Sequence, residues 1–260
     1  MPPILEQGTI RRAERLCHNV IDLRIESPRI AREVQPGQFV HIKCADDLLL
    51  RRPISVCDVE DGQLRLIVEV AGAGTRWLYG RRAGEVLDLL GPLGDRGFPT
   101  PDARGGPVLL LGGGCGVAPL LLAAKCSPVA VDMVMGFTEK CRVIMEQDFK
   151  SCCRSLTVCT DDGSYGTAGF VSQAALRLLE QEDYQAVFSC GSMAMLKSVV
   201  QAVERADIPC YLSLDERMGC GLGACLGCAV KLRGEGGAEH YGHVCKQGPV
   251  FELREVVWDV

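Results

Sequence analysis

The sequence has no excess of positive charge: 28 lysines and arginines stand against 33 aspartates and glutamates, for a net charge of −5. A protein that neutralises nucleic-acid phosphates shows a basic patch or stripe. Arg51-Arg52 and Arg81-Arg82 are only local pairs, so no nucleic-acid partner is expected. No apolar run reaches the ~18–20 residues that span a bilayer. The opening Met1-Pro2-Pro3-Ile4-Leu5-Glu6 also lacks the basic-then-apolar order of a secretory signal. No membrane association and a cytoplasmic location are therefore expected. Internal repeats and low-complexity tracts are missing too, and a hydrophobic fraction of 47% gives no sign of disorder. At 260 residues there is room for two domains of ordinary size and a small module.

Cysteine, by contrast, is plentiful, with 15 residues. An odd number scattered over apolar stretches, in a chain of reducing-compartment type, is not a disulfide framework. Most of these thiols read as small core residues. Four stand apart: Cys220, Cys225, Cys228 and Cys245 are spaced C-x4-C-x2-C-x16-C. The first three match the plant-type [2Fe–2S] run, closed by a distant fourth cysteine. The interspersed Gly219, Gly221, Gly223 and Gly227 let the backbone wrap a metal and aim N–H groups at sulfur. Spacing alone does not choose the metal, and an all-cysteine zinc site is the alternative.

Upstream, the chain changes character twice, which predicts a multi-domain fold. In residues 1–100, Val20–Ile25, Gln38–Lys43 and Gln63–Val70 largely alternate polar with apolar side chains, and Pro36-Gly37 and Asp61-Gly62 mark turns between them. This predicts a small antiparallel β-barrel. In residues 101–212, near-continuous apolar strands such as Pro107–Leu111 and Val129–Met135 alternate with helical patterns. That order predicts an α/β domain with a parallel sheet. Residues 213–260 form the cysteine module.

Local patterns add candidate binding groups. Gly112-Gly113-Gly114-Cys115-Gly116 follows a buried strand and opens a helix with Pro119 in its first turn. Such a turn lets a phosphate approach the backbone and meet unpaired N–H groups; a plain strand-to-helix turn reads the same way. Glu139, about 25 residues on, suits the ribose hydroxyls of NAD, or is a solvated loop carboxylate. Arg52 and Ser55, within Arg51-Arg52-Pro53-Ile54-Ser55 and placed between β segments, offer a cation and a hydroxyl to a diphosphate. Gly72-Ala73-Gly74-Thr75 suits an anion at a helix start, or a turn with Thr75 as N-cap.

Taken in order, Arg-Pro-x-Ser, Gly-x-Gly-Thr, the glycine turn and Cys190-Gly191-Ser192-Met193 resemble the ferredoxin–NADP reductase superfamily. The resemblance implies a β-barrel that binds FAD and an α/β domain that presents a nicotinamide cofactor to it. It implies that Arg52, Pro53, Ile54 and Ser55 line the flavin and its diphosphate, with Gly72, Gly74 and Thr75 also on the diphosphate. It places Gly113, Gly114 and Gly116 at the nicotinamide cofactor, Asp161, Asp162 and Gly163 in its loop region, and Cys190, as the catalytic-site residue, with Gly191 beside the nicotinamide.

The C-terminal cysteine module narrows the resemblance to one branch, the electron-transfer subunits of type B dihydroorotate dehydrogenases. A redox-silent zinc ion would add nothing to such a chain, so the module is read as a [2Fe–2S] site held by Cys220, Cys225, Cys228 and Cys245. The branch implies a separate FMN-containing subunit that oxidises dihydroorotate, a two-plus-two heterotetramer, and electrons passing from that FMN through the cluster and FAD to NAD. Two other readings remain: the reductase subunit of a different complex, such as a sulfhydrogenase or a ferredoxin-coupled transhydrogenase, and a zinc-stabilised dinucleotide sensor.

Overall fold

In the computed structural model, residues 2–258 are described. Six strands, β1 (Ile4–Cys17), β2 (Val20–Glu26), β3 (Phe39–Lys43), β4 (Arg52–Glu60), β5 (Gln63–Glu69) and β6 (Val86–Leu93), close into an antiparallel barrel in the order β1-β2-β5-β4-β3-β6. Two short helices flank it, α1 (Pro28–Glu33) and α2 (Ala73–Tyr79). Period-two alternation sends Leu23, Ile25, Val40, Ile42, Leu64 and Leu66 into the barrel core. One expectation is corrected here. The Arg52–Ser55 stretch does not lie between strands but begins β4. Proline is tolerated there because β4 meets β5 only from Val56 onward, so over 52–55 one flank has no ladder for it to interrupt.

The second layer is a seven-stranded sheet built from β7 (Val108–Gly113), β8 (Val131–Phe137), β9 (Ser155–Thr160), β10 (Thr167–Ala168), β11 (Ala186–Cys190), β12 (Cys210–Ser213) and, beyond a two-stranded hairpin of β13 (Ala229–Arg233) and β14 (Glu239–His243), β15 (Val250–Glu252). Its order is β10-β9-β8-β7-β11-β12-β15, parallel throughout except for β15. Helices α3 (Ala118–Cys126) and α4 (Glu146–Cys152) cover one face, and α5 (Val171–Leu179) and α6 (Met193–Val203) cover the other; α7 (Val244–Gln247) follows the hairpin. Val108 and Leu110 of β7 point into the first core, and Leu109 and Leu111 into the second. Burial on both faces is why this strand is apolar without alternation.

The cysteine module is not a loose appendage. Cys228, Leu232, Val244 and Cys245 share a core with Leu212 and Leu214 of the sheet side and with Phe39 and Leu93 of the barrel. Ion pairs also tie barrel to sheet domain: Lys125 of α3 to Asp58 of β4 at 2.5 Å, and Arg142 to Glu69 at 2.5 Å. Arg65 of β5 is the most enclosed of these cations, hydrogen-bonded to Asp22 at 2.9 Å within the barrel and to Asp148 of α4 at 2.5 Å.

Removing one partner of a buried ion pair strands the other charge, at a cost of about 3–5 kcal/mol. Arg65→Met is therefore expected to lower the urea midpoint far more than Asp148→Asn, because Asp22 is as buried as Arg65 while Asp148 keeps a solvent-facing side. Equal, small shifts for the two variants would show that the barrel does not depend on this pair.

Candidate functional site

The neighbouring arginines Arg51 and Arg52 part company in the structure. Arg51 turns along the barrel wall, donating to the Asp88 carboxylate at 2.7 Å and to the Asp88 backbone carbonyl at 3.1 Å. Arg52 turns the other way and lies across Gly74, so closely that a Cβ on Gly74 would collide with the guanidinium. The structure thus brings Arg52 together with the Gly72–Thr75 turn. Gly72, rather than Thr75, is the N-cap of α2; Thr75 sits at the third helical position, where its Oγ1 accepts from the N–H groups of Ala71 at 2.8 Å and Gly72 at 3.1 Å. A side-chain oxygen that reaches back to the cap still closes the turn, which is why either reading of the sequence fitted. The guanidinium and the first unpaired N–H groups of the helix form a donor set that fits a diphosphate. Ile54 is buried, and Pro53 and Ser55 of the same strand are half-buried.

Arg51, Arg52 and Pro53 also line a cleft of about 670 Å³, closed on its other side by Asp215, Glu216, Arg217 and Met218. That opposite wall runs directly into the cysteine loop. The four thiols stand as two pairs tied through the backbone: the Cys225 N–H donates to Cys220 Sγ at 3.4 Å, and the Cys245 N–H donates to Cys228 Sγ at 3.4 Å. Two pairs of thiolates, one pair per iron, are what a [2Fe–2S] group asks of its ligands. Leu222, Ala224 and Cys225 donate backbone N–H groups to Cys220 Sγ at 3.3, 3.3 and 3.4 Å, and Gly223 donates to Cys245 Sγ at 3.2 Å. Burial opposes ionisation of Cys220, but those donors, with the Cys225 thiol, outweigh it and hold its pKa down to about 6. At Cys245 burial prevails, and the Cys228 thiol adds to it, pushing the pKa up to about 12 despite the Gly223 N–H.

The glycine turn sits at the place where the strand order of the sheet reverses, between β7 and β11, the usual binding crevice of an open α/β sheet. Gly113 and Gly114 lead from β7 through a short 3-10 turn, residues 114–117, into α3. Gly116 packs against the end of β11, where a Cβ would stand 2.5 Å from the Cys190 carbonyl oxygen and 2.6 Å from Gly191 Cα. Gly113 and Gly191 meet over the sulfur of Met195, a neighbour that the sequence did not single out. Cys190 is half-buried at the strand end; burial pushes its pKa up to about 12, with a hydrogen bond from Ser213 opposing. It is a neutral thiol, suited to packing and not to nucleophilic attack.

Glu139 follows β8, and Asp161, Asp162 and Gly163 follow β9. The two loops brace each other, with the Asp161 N–H on the Phe137 carbonyl at 3.0 Å and the Lys140 N–H on Ser164 Oγ at 2.8 Å. All of them lie at the carboxyl edge of the sheet with the glycine turn.

His41 was missed as well. Alternation in Gln38–Lys43 assigns Phe39 and His41 to the outer, polar face of the barrel, yet both are buried there, because the sheet and the cysteine module cover that face. A histidine placed opposite two buried valine and isoleucine positions is the only hint the strand carries.

A family model described as the iron-sulfur cluster binding domain of dihydroorotate dehydrogenase B matches residues 215–257. Over the whole chain, the dihydroorotate dehydrogenase B (NAD(+)) electron transfer subunit of Shouchella clausii is 38% identical across 257 residues, 96% of each chain. The Bacillus cereus protein of the same name is 39% identical across 252 residues, 93% of this chain and 94% of its own. Among solved structures, an NADH-dependent reduced ferredoxin-NADP oxidoreductase superposes with a TM-score of 0.87 at 31% identity, over 97% of this chain and 90% of that one. The ferredoxin reductase of carbazole 1,9a-dioxygenase, at 19% identity and a TM-score of 0.68 over 82% of this chain and 69% of that one, shares the fold.

The asymmetry between the thiol pairs has a measurable consequence. In metal-free protein, a short iodoacetamide pulse should label Cys220 ahead of Cys245, since thiolate is the reactive form. The rate at Cys220 should rise through pH 6 and level off above it, following its lowered pKa. Peptide mass spectrometry showing Cys245 labelled as fast as Cys220 at pH 7 would contradict the donor arrangement.

Proposed function

The chain belongs to the family of dihydroorotate dehydrogenase B electron transfer subunits, and from that premise we propose that it carries electrons between a dihydroorotate-oxidising partner subunit and NAD. The observation that supports this best is the single cleft whose walls are the Arg51–Pro53 strand and the segment leading to the paired thiols. When bound, FAD supplies the exchange between two-electron hydride chemistry and the one-electron chemistry of a [2Fe–2S] cluster, which no side chain can supply.

The chain's own residues do the holding and the aiming. Arg52, Gly72, Gly74 and Thr75 hold the flavin diphosphate, and Pro53, Ile54 and Ser55 set the plane of the flavin ring against the barrel wall. Gly113, Gly114, Gly116 and Gly191 let the nicotinamide cofactor come close to the backbone, and the neutral Cys190 thiol packs at its edge. Glu139 accepts the ribose hydroxyls, which favours NAD over NADP, and Asp161, Asp162 and Gly163 shape the neighbouring loop. Cys220, Cys225, Cys228 and Cys245 hold the cluster. No side chain need serve as acid or base. On this division residues 1–100 serve FAD, 101–212 serve NAD, and 213–260 serve the cluster.

The partner is an FMN subunit, in a two-plus-two heterotetramer. Exposed Leu222 and Leu226 on the cysteine loop support contact there, since exposed apolar side chains close in the chain favour a protein partner. Among the described residues no helix is long and apolar enough to cross a membrane. All 15 cysteines are free, in keeping with a cytoplasmic setting. One observation favours a second reading, a reductase subunit of a ferredoxin-coupled complex: the likeness to the ferredoxin-NADP oxidoreductase structure.

An anaerobic visible spectrum tests the cofactor set: a reddish-brown protein bleached by NADH is expected, and a colourless, zinc-loaded one refutes it. Cys225→Ser should lose the cluster but keep FAD and NADH–flavin exchange. Gly74→Val, which displaces Arg52, should weaken FAD binding at least tenfold, the about 1.5–3 kcal/mol of a charged hydrogen bond, and keep the cluster. Adding an FMN-containing dihydroorotate oxidase should give NAD-linked turnover; turnover with ferredoxin and none with dihydroorotate would favour the second reading.

A further inference from the structure

His41 is an exception in a chain whose buried polar groups are otherwise largely satisfied. It has no exposed surface, and neither of its ring nitrogens has a hydrogen-bond partner within the protein. A neutral imidazole carries one N–H and one lone pair. Leaving such a group buried and unpaired costs about 1–3 kcal/mol, so a partner from outside the polypeptide is called for. Burial, and then the nearby Arg51 guanidinium, lowers the pKa of His41 from 6.5 to about 4, which keeps the ring neutral.

Two contacts fix where the ring points. Its partner across the ladder is Pro53, so the two side chains share the outer face of the barrel beside the cleft. On its other side is Gly221, whose φ of +72° already favours glycine. A Cβ at Gly221 would stand 2.7 Å from His41 Cε1, 2.9 Å from Nδ1 and 2.9 Å from Nε2. Those three atoms form the nitrogen-bearing edge of the imidazole. The polar edge therefore faces the cysteine loop, not the strand that carries Pro53. The loop already directs backbone donors from Leu222, Ala224 and Cys225 at one sulfur, and His41 would add a side-chain donor from the barrel.

We propose that His41 donates its ring N–H to an inorganic sulfide of the cluster held by Cys220, Cys225, Cys228 and Cys245, and so raises the reduction potential of that cluster. The proposal rests on the [2Fe–2S] reading of the loop. A donor to sulfur stabilises the reduced, more negative state over the oxidised one. It also gives the barrel a direct hold on the cluster, from the strand that abuts the flavin segment.

The test uses the cluster-loaded, FAD-containing protein in redox titrations followed by EPR for the cluster and by absorbance for the flavin. At the native midpoint, His41→Leu should lower the reduced-to-oxidised ratio of the cluster about tenfold, roughly 59 mV for one electron, with the flavin potential unmoved. His41→Gln, which keeps an N–H donor, should recover most of the shift. A fully loaded Leu variant with an unchanged cluster midpoint, or a shift confined to the flavin, overturns the proposal. If the Leu variant does not load, pulsed EPR of the reduced native protein labelled with ¹⁵N-histidine decides. A nitrogen coupling lost in His41→Gln and kept in His243→Gln supports the donor; no coupling that depends on His41 overturns it. A native protein that binds flavin but shows no [2Fe–2S] signal refutes the functional reading and this proposal with it. An intact cluster indifferent to His41 refutes this proposal alone.

Discussion

The apolar core shared by the barrel, the sheet and the cysteine module is the constraint on which everything else depends. Phe39 and Leu93 enter it from the barrel, Leu212 and Leu214 from the sheet side, and Cys228, Leu232, Val244 and Cys245 from the module. Close-packed interiors have few discrete arrangements and do not deform continuously. Two of the four module thiols, Cys228 and Cys245, are thus fixed relative to both barrel and sheet by the same packing that folds them. A chain that relays electrons needs constant separations more than it needs reactive side chains, and a common core supplies them. The ion pairs Lys125–Asp58 and Arg142–Glu69 across the other side of the barrel then limit rocking of one layer on the other.

Within the module the ligands divide by environment. Cys228 and Cys245 are buried, Cys225 is exposed and Cys220 is intermediate. Backbone donors concentrate on Cys220, which accepts three, while the buried Cys228 and Cys245 accept one each in otherwise apolar surroundings. Hydrogen bonding and burial pull a cluster potential in opposite directions. Cys220 and Cys225 share their loop with the exposed Leu222 and Leu226.

Much of this could be read from sequence, for physical reasons that differ by element. The barrel strands declared themselves by alternation, and β7 by its lack of it, because each pattern reports how many faces are buried. The cysteine spacing marked the module but did not say which thiols stand together. Other features needed coordinates. Arg51 and Arg52 are alike in sequence, and only their neighbours, Asp88 for one and Gly74 for the other, give them different work. Thr75 closes its turn from inside the helix, a position one turn of sequence cannot separate from the cap. His41 looked like a solvent-facing position on a half-buried strand. What buries it is the cysteine module, some 180 residues further along the chain, and periodicity within a strand carries no information about a distant segment that will cover it.

Connectivity itself bounds the electron path. Ser213 ends β12 beside Cys190, at the carboxyl edge of the sheet. Seven residues later the chain reaches Cys220, so the two ends are at most about 25 Å apart even if the link were fully extended. The link is not idle chain. Asp215 bears on the Cys190 thiol at one end and, with Glu216, Arg217 and Met218, walls the cleft opposite Arg51–Pro53 at the other. A group held in that cleft would lie against both the segment that joins Ser213 to Cys220 and the strand that carries Arg52 and Pro53. The short link after β12 therefore does with covalent geometry what the shared core does with packing: it ties the carboxyl end of β12 to the cysteine loop within a fixed span.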